Sequence, residues 1–291
     1  MVTVPPNWRP RDEDLDFFGL THQGLVRKDN QDHFLFATLH KTMRVRGTSL
    51  PNPELLEVPS QRLASFALVA DGVGGRADGE VASRAAVEAI TEYLAQTTGC
   101  FYASDPADES AFLAALKDGA EASQRAVIER AHRSGDPRGM ATTLTAVMVT
   151  WPNLYLLQVG DSRCYLFRAG KLEQLTRDQT MAQELVDMGL LSEDKAPKSQ
   201  FAHVLSSSIG GQTYRPEVSR TRMEPGDILV LCTDGLTKHV SSERVIERLK
   251  SLRSSEEACR QLVDDALAGG GTDNVTVVVL RAVVPGTGTR S

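Results

Sequence analysis

No apolar run in this sequence approaches the roughly 20 residues that a membrane-spanning helix requires. Positive charge is in deficit, with 32 Lys and Arg against 38 Asp and Glu, and a net charge of −6 does not favour DNA or an anionic membrane. The opening residues, MVTVPPNWRPRDEDLD, lack the basic-then-apolar order of a signal peptide. Neither nucleic acid nor membrane is therefore expected as a partner, and a cytoplasmic location is expected. Cysteine is sparse: Cys100, Cys164, Cys232 and Cys259 form no C-x-x-C pair, which argues against zinc binding and redox chemistry. Disulfides are not expected, and Cys232, ending the apolar run Ile228–Cys232, reads as a buried strand residue. The six histidines contain no H-x-x-x-H pair, so most read as surface or structural residues.

What is present is an ordinary globular balance, 41% hydrophobic and 24% charged, that can bury a core. Short β-branched runs occur at Asp16–Thr21, His33–Leu39, Ser65–Ala70, Thr142–Thr150, Leu154–Val159, Cys164–Arg168, Asp227–Cys232 and Asn274–Val283. Helical periodicity marks Glu80–Gln96 and Ala111–Ala131, consecutive and with no strand between them. Further helical stretches lie near Met181–Met188, Glu243–Leu252 and Glu256–Ala268, the last stopped by Gly269-Gly270-Gly271. Strands in series with grouped helices argue for a layered α+β fold rather than a βαβ repeat. Residues 1–14 read as a loose arm, 15–283 as one domain and 284–291 as a tail. Residues 41–62, broken by three prolines, read as a surface loop inserted between two strands.

Four aspartates share one local grammar. Asp71 in LVADGVGG, Asp161 in QVGDSR, Asp234 in LCTDGL and Asp273 in GGTDNV each lie at a strand boundary beside glycine or a small polar residue. Any one of them could be a turn residue. Four together can converge at a sheet rim. Two carboxylates at about 4 Å and an effective dielectric of about 20 repel by roughly 4 kcal/mol, so such a cluster needs protons or cations. An all-oxygen ligand set favours hard ions such as Mg²⁺ and Mn²⁺. Upstream, GLVRKDNQD places Arg27 close to Asp32, and a guanidinium fork suits phosphate.

The ordered set Arg27-Lys-Asp-Asn-Gln-Asp32, Asp71-Gly-Val-Gly-Gly75 with Gly79-Glu80, Gly139-Met-Ala-Thr-Thr143, Gly160-Asp-Ser-Arg163, Thr233-Asp-Gly235 and Gly271-Thr-Asp-Asn274 resembles the type-2C, metal-dependent serine/threonine protein phosphatases in their bacterial form. The likeness runs over about residues 16–282. It implies a four-layer αββα sandwich, with a central antiparallel β-sandwich flanked by helix pairs. It implies hydrolysis of phosphoserine and phosphothreonine in proteins, the targets of Ser/Thr kinases, by direct attack of a metal-bridging hydroxide. Two core Mn²⁺ or Mg²⁺ ions and a possible third are implied, in a monomer. Carried over by position, Asp71 would bridge the core ions and the Gly72 carbonyl would bind the first. Asp234 and Asp273 would bind the second ion, and Asp161 a third together with Asp234. Arg27 would grip the substrate phosphate, with Asp32 supporting the site from behind the ligands. Residues 178–203 resemble the flap that borders the site.

There are departures from the pattern. Gln31 stands where many members have Glu, and Ala141 replaces a Gly. Val73 stands where animal members have a His proposed as general acid, which leaves the leaving-group proton without an assigned source. A phosphatase using a cysteine nucleophile is excluded, because Pro106, Gly170, Lys238 and Asp265 stand six residues beyond the four cysteines where an Arg would be needed. Gly72-Val-Gly-Gly-Arg-Ala77 also fits a dinucleotide fingerprint, but that reading needs a second parallel strand where a helix follows. A phosphatase specialised for one regulatory protein and a catalytically silent phospho-binding module are the remaining alternatives. His203 and His239 are candidates for the rim of the site.

Overall fold

The computed structural model describes residues 8–43, 58–73, 77–104, 109–135 and 139–284. The strands are β1 (Leu15–His22), β2 (Asp32–Met43), β3 (Val58–Val73), β4 (Ala141–Thr142), β5 (Leu144–Thr150), β6 (Asn153–Val159), β7 (Arg163–Arg168), β8 (Lys171–Gln174), β9 (Glu217–Arg222), β10 (Ile228–Cys232) and β11 (Val275–Ala282). The helices are α1 (Ala77–Ser104), α2 (Glu109–Ser134), α3 (Met181–Asp187), α4 (Asp234–Thr237), α5 (Ser242–Lys250) and α6 (Ser255–Ala268). One sheet has the order β1-β11-β10-β7-β8 and the other β2-β3-β5-β6-β9, with β4 attached to β3. Every ladder along both sheets is antiparallel.

The period-2 alternation of the central strands sorts side chains into layers. On β3, Leu68 and Ala70 pack toward α1 and α2, while Ala67 and Val69 face the opposite sheet. On β10 and β11, Leu229, Leu231, Val278 and Leu280 meet that inner core, and Val230, Cys232, Val277 and Val279 lie under α6. The result is helices, sheet, sheet, helices, the αββα order expected. Burial on both faces explains why these strands read as near-continuous apolar runs. The dinucleotide reading fails on topology, because β3 pairs antiparallel with both β2 and β5, and among the described residues α2 follows α1 with no strand between.

Several expectations need correction. The described part of the N-terminal arm is docked: Trp8 stacks edge-on against Trp151 with ring centroids 5.3 Å apart, and Arg62 binds Asp12 at 2.7 Å. Asp14 is buried and caps Arg11, accepting its N–H at 2.9 Å. The flanks of the segment read as a loop are strand, with Lys41 paired to Gln61 and Met43 to Val58. Its centre, 44–57, lies outside the described residues, as do 1–7 and the tail from 285. Two short strands had no apolar signal: β8 and the edge strand β9, whose sequence EVSRTR is largely exposed. The run 142–150 is broken after β4, which frees Thr143 for the site.

Candidate metal centre

The strand ends decide where the aspartates go. Asp32 opens β2 and faces Asp71 across the β2–β3 ladder. Asp161 follows β6, Asp234 begins α4 directly after β10, and Asp273 precedes β11. The antiparallel registers bring these ends to one rim of the sandwich. Their fields overlap. Burial, then Asp32, Asp234, Asp161 and Asp273, hold the Asp71 carboxyl well above the usual carboxylate range. Burial and then Asp234 and Asp178 push Asp161 up to about 8. Burial also pushes Asp32 up to about 7, against the pull of its hydrogen bonds from Thr276 and Thr233.

Asp71 is fixed through its backbone. The Thr143 N–H and the Thr142 hydroxyl donate to its carbonyl at 2.9 and 2.8 Å, and the Asp71 N–H donates to Thr143 Oγ1 at 2.9 Å. The Gly-Met-Ala-Thr-Thr motif therefore acts as a clamp on the aspartate. Gly72 beside it has no room for a side chain: a Cβ would lie 2.2 Å from the Gly79 carbonyl oxygen in the first turn of α1. Asp32 is buried, and its Oδ2 accepts from Thr233 and Thr276 at 2.8 and 2.7 Å. That places it behind the rim, as the supporting role would need.

Arg27 reaches the same place by a different contact from the one expected. Its Nε and one terminal nitrogen fork onto the two oxygens of Asp273 at 2.7 and 2.9 Å. Burial would raise the Asp273 carboxyl, but this fork and Lys238 more than offset it and hold it below its ordinary value. His203, in the flap region, lies 3.9 Å from Asp234 Oδ2. His239 bonds Thr272, the residue before Asp273, through Nε2 at 2.8 Å.

Three residues of the site escaped the reading of the sequence as individuals. Lys238 bridges Asp234 and Asp273; its only sequence signal is the i,i+4 spacing from Asp234. Asn274 accepts from the Gln31 N–H at 2.9 Å and donates to the carbonyls of Gln23 and Asp29, which ties the Arg27 loop to β11. Asp178 takes the guanidinium of Arg163 in a bidentate pair at 2.8 and 2.6 Å.

The residues present suit hard cations. Asp234 Oδ1 and Asp32 Oδ1 are buried with no hydrogen-bond partner, which is costly for a carboxylate unless an ion or a proton meets it. Among the described residues no three Asp, Glu, His or Cys side chains already close around one point as an ion cage; between Asp234 and Asp273 stands Lys238. A cavity of about 830 Å³ lies elsewhere, at the opposite end of the sandwich, lined by Phe17, Leu63, Trp151 and Leu280 among others.

A two-sheet sandwich with a rim of strand-end aspartates is the architecture of a metal-dependent phosphohydrolase of the resembled type. The family model described as Protein phosphatase 2C matches residues 56–269. The chain is 36% identical over 220 residues to the serine/threonine protein phosphatase PstP of Mycobacterium tuberculosis, covering 76% of this chain and 41% of PstP. It is 31% identical over 214 residues to the serine/threonine phosphatase stp of Listeria welshimeri, covering 73% of this chain and 82% of that protein. The crystal structure of the catalytic domain of PstP in complex with two manganese ions superposes with a TM-score of 0.71 at 31% identity, over 93% of this chain and 99% of that one. The chain belongs to the protein phosphatase 2C family.

Proposed function

We propose that this chain removes phosphate from phosphoserine and phosphothreonine in proteins, with Mn²⁺ or Mg²⁺ as cofactor. The observation that carries the reading is the convergence of four aspartates from distant strand ends onto one rim with a fifth, Asp32, behind them, and bare buried oxygens on Asp234 and Asp32. Asp71, the Gly72 carbonyl, Asp234 and Asp273 would hold the two core ions, and Asp161 with Asp234 a third. Bound divalent ions supply water activation at neutral pH and neutralise phosphoryl charge. The chain's own part is positional. Thr142 and Thr143 fix Asp71, and Asp32 and its two threonines brace the rim from inside. Arg27 is 56% exposed, so it can turn from Asp273 to a phosphoryl group by side-chain rotation alone and orient it with its fork.

The chain spans 41% of the length of PstP, so its substrates rest on the site and not on that likeness. The reading extends to a cytoplasmic monomer acting in signal transduction on targets of Ser/Thr kinases. Three free buried cysteines, Cys164, Cys232 and Cys259, suit a reducing compartment. No helix among the described residues is long and apolar enough to cross a membrane. The test is hydrolysis of a phosphothreonine peptide with and without Mn²⁺. Turnover that appears with the ion and vanishes in chelator is the expected result. Full turnover in excess chelator after dialysis would overturn the proposal.

A further inference from the structure

Lys238 follows Asp234 by one helical turn, and the Lys238 N–H donates to the Asp234 carbonyl at 2.9 Å. This folds the ammonium back over the carboxylate, 2.6 Å from Asp234 Oδ2. The same ammonium lies 2.7 Å from Asp273 Oδ2. Packing forces the two aspartates together. A Cβ at Gly235 would lie 1.8 Å from the Asn274 carbonyl oxygen, so α4 presses directly on the start of β11. The Lys238 side chain is only 21% exposed, and its contacts are therefore screened much less than those of a surface pair.

One positive charge therefore spans the two carboxylates assigned to the second ion. It occupies the facing oxygen of each, while Asp234 Oδ1 is left bare. An ammonium and a divalent cation cannot both sit between the same two oxygens. We infer that Lys238 is an internal cation that stands in for the second divalent ion between Asp234 and Asp273, and that it must be displaced for that ion to bind. It thereby holds the metal-free site together and sets the ion concentration at which the site fills. The inference rests on the metal-site reading given above. Arg27 contributes to the same balance from outside, in contact with Asp273.

The test uses the full chain, stripped with chelator, and compares it with Lys238→Met, which keeps the length and removes the charge. Calorimetric titration with Mn²⁺ should show the dissociation constant at the second site falling about tenfold or more in the variant. Metal-free Lys238→Met should also melt at a lower temperature than the parent, because the two carboxylates lose their common counter-ion. Equal or weaker Mn²⁺ binding by the variant would overturn the inference. If the variant does not fold without metal, the unaltered chain supplies the answer by amine acetylation read by mass spectrometry. Lys238 should be acetylated several-fold faster, relative to Lys250, once Mn²⁺ saturates the protein; an unchanged rate would refute its displacement. Asp234→Asn separates the two levels. Mn²⁺ binding that is unaffected by Asp234→Asn would remove the metal-site reading itself. Loss of binding there, with Lys238→Met behaving like the parent, would remove only the role of Lys238.

Discussion

Asp161 shows how far a single residue can be read. Its Gly-Asp-Ser-Arg context marked a strand end, and the structure puts it at the rim, buried and within the field of Asp234. Its neighbours could not be read the same way. Arg163 turns back to Asp178 through a bidentate pair, and Lys238 enters from a helical turn whose sequence reads as a plain Thr-Lys-His. Strand-end aspartates are legible because the chemistry demands that residue type at that place. A lysine that neutralises them is legible only once the two carboxylates are known to meet. Val73 can supply no proton; an ion held by Asp161 and Asp234 would supply the polarisation of a water that the leaving serine or threonine oxygen needs. Asp161→Ala should lower kcat for a phosphothreonine peptide by about 10²-fold, in the range of proton-transfer effects, with a smaller loss on aryl phosphates whose leaving group needs no proton. Steady-state kinetics on both substrates at saturating Mn²⁺ checks this, and equal losses on the two would rule out a role in protonation.

At the scale of elements, legibility followed burial. The strands buried on both faces, β3, β5, β6, β10 and β11, carry near-continuous apolar runs and are placed by the sequence to within a few residues apart from the long N-terminal extension of β3. The strand β9 has one exposed edge and a charged sequence, so no hydrophobic pattern announced it; its pairing with β6 is a matter of backbone hydrogen bonds. The N-terminal arm was misread for a related reason. Its Pro and charged residues are turn formers, but Trp8 and Asp14 anchor it through contacts with residues far away in sequence, Trp151 and the Val283 N–H among them. The Trp151 indole donates to the Trp8 carbonyl at 3.0 Å in addition to the ring contact. Trp8→Ala should therefore destabilise the domain by about 1 kcal/mol through the lost aromatic pair, with kcat/KM unchanged because the contact is at the far end of the sandwich. Urea unfolding followed by fluorescence measures the first and peptide hydrolysis the second. An unaltered unfolding midpoint would return the arm to the status of a loose tail.

For the molecule as a whole, the rim of aspartates sets a debt of charge that the rest of the fold must carry when no ion is bound. Asp32 and Asp161 have an ordinary value of 3.8 and are pushed up to about 7 and about 8 in the folded chain, chiefly by burial. Between those limits the folded state holds protons that the unfolded state has released. By linkage, stability must then fall as pH rises through the folded values. Groups shifted the other way do not oppose this in the same range. Asp265, drawn down to about 2 by Arg248 and Arg244 against the cost of burial, is ionised in both states above pH 5. His33, lowered by burial from 6.5, adds stability with rising pH only up to about its ordinary value. The window from pH 6.5 to 8 isolates the aspartates, because the buried thiols of Cys164, Cys232 and Cys259, raised from 9.0, contribute only above it. In chelator, the melting temperature should fall across it as Asp32 and Asp161 lose their protons within the crowded rim, where Asp71 too is held above its ordinary value. With saturating Mn²⁺ the same carboxylates are ionised by the cation at every pH in the window, so the slope should flatten and the whole curve should rise. Scanning calorimetry at five or so pH values in each condition provides the comparison. A melting temperature that is flat or rising in chelator would mean that the cluster is already neutralised without metal, by Lys238 and Arg27 alone, and that the rim carries no net repulsion for an ion to relieve.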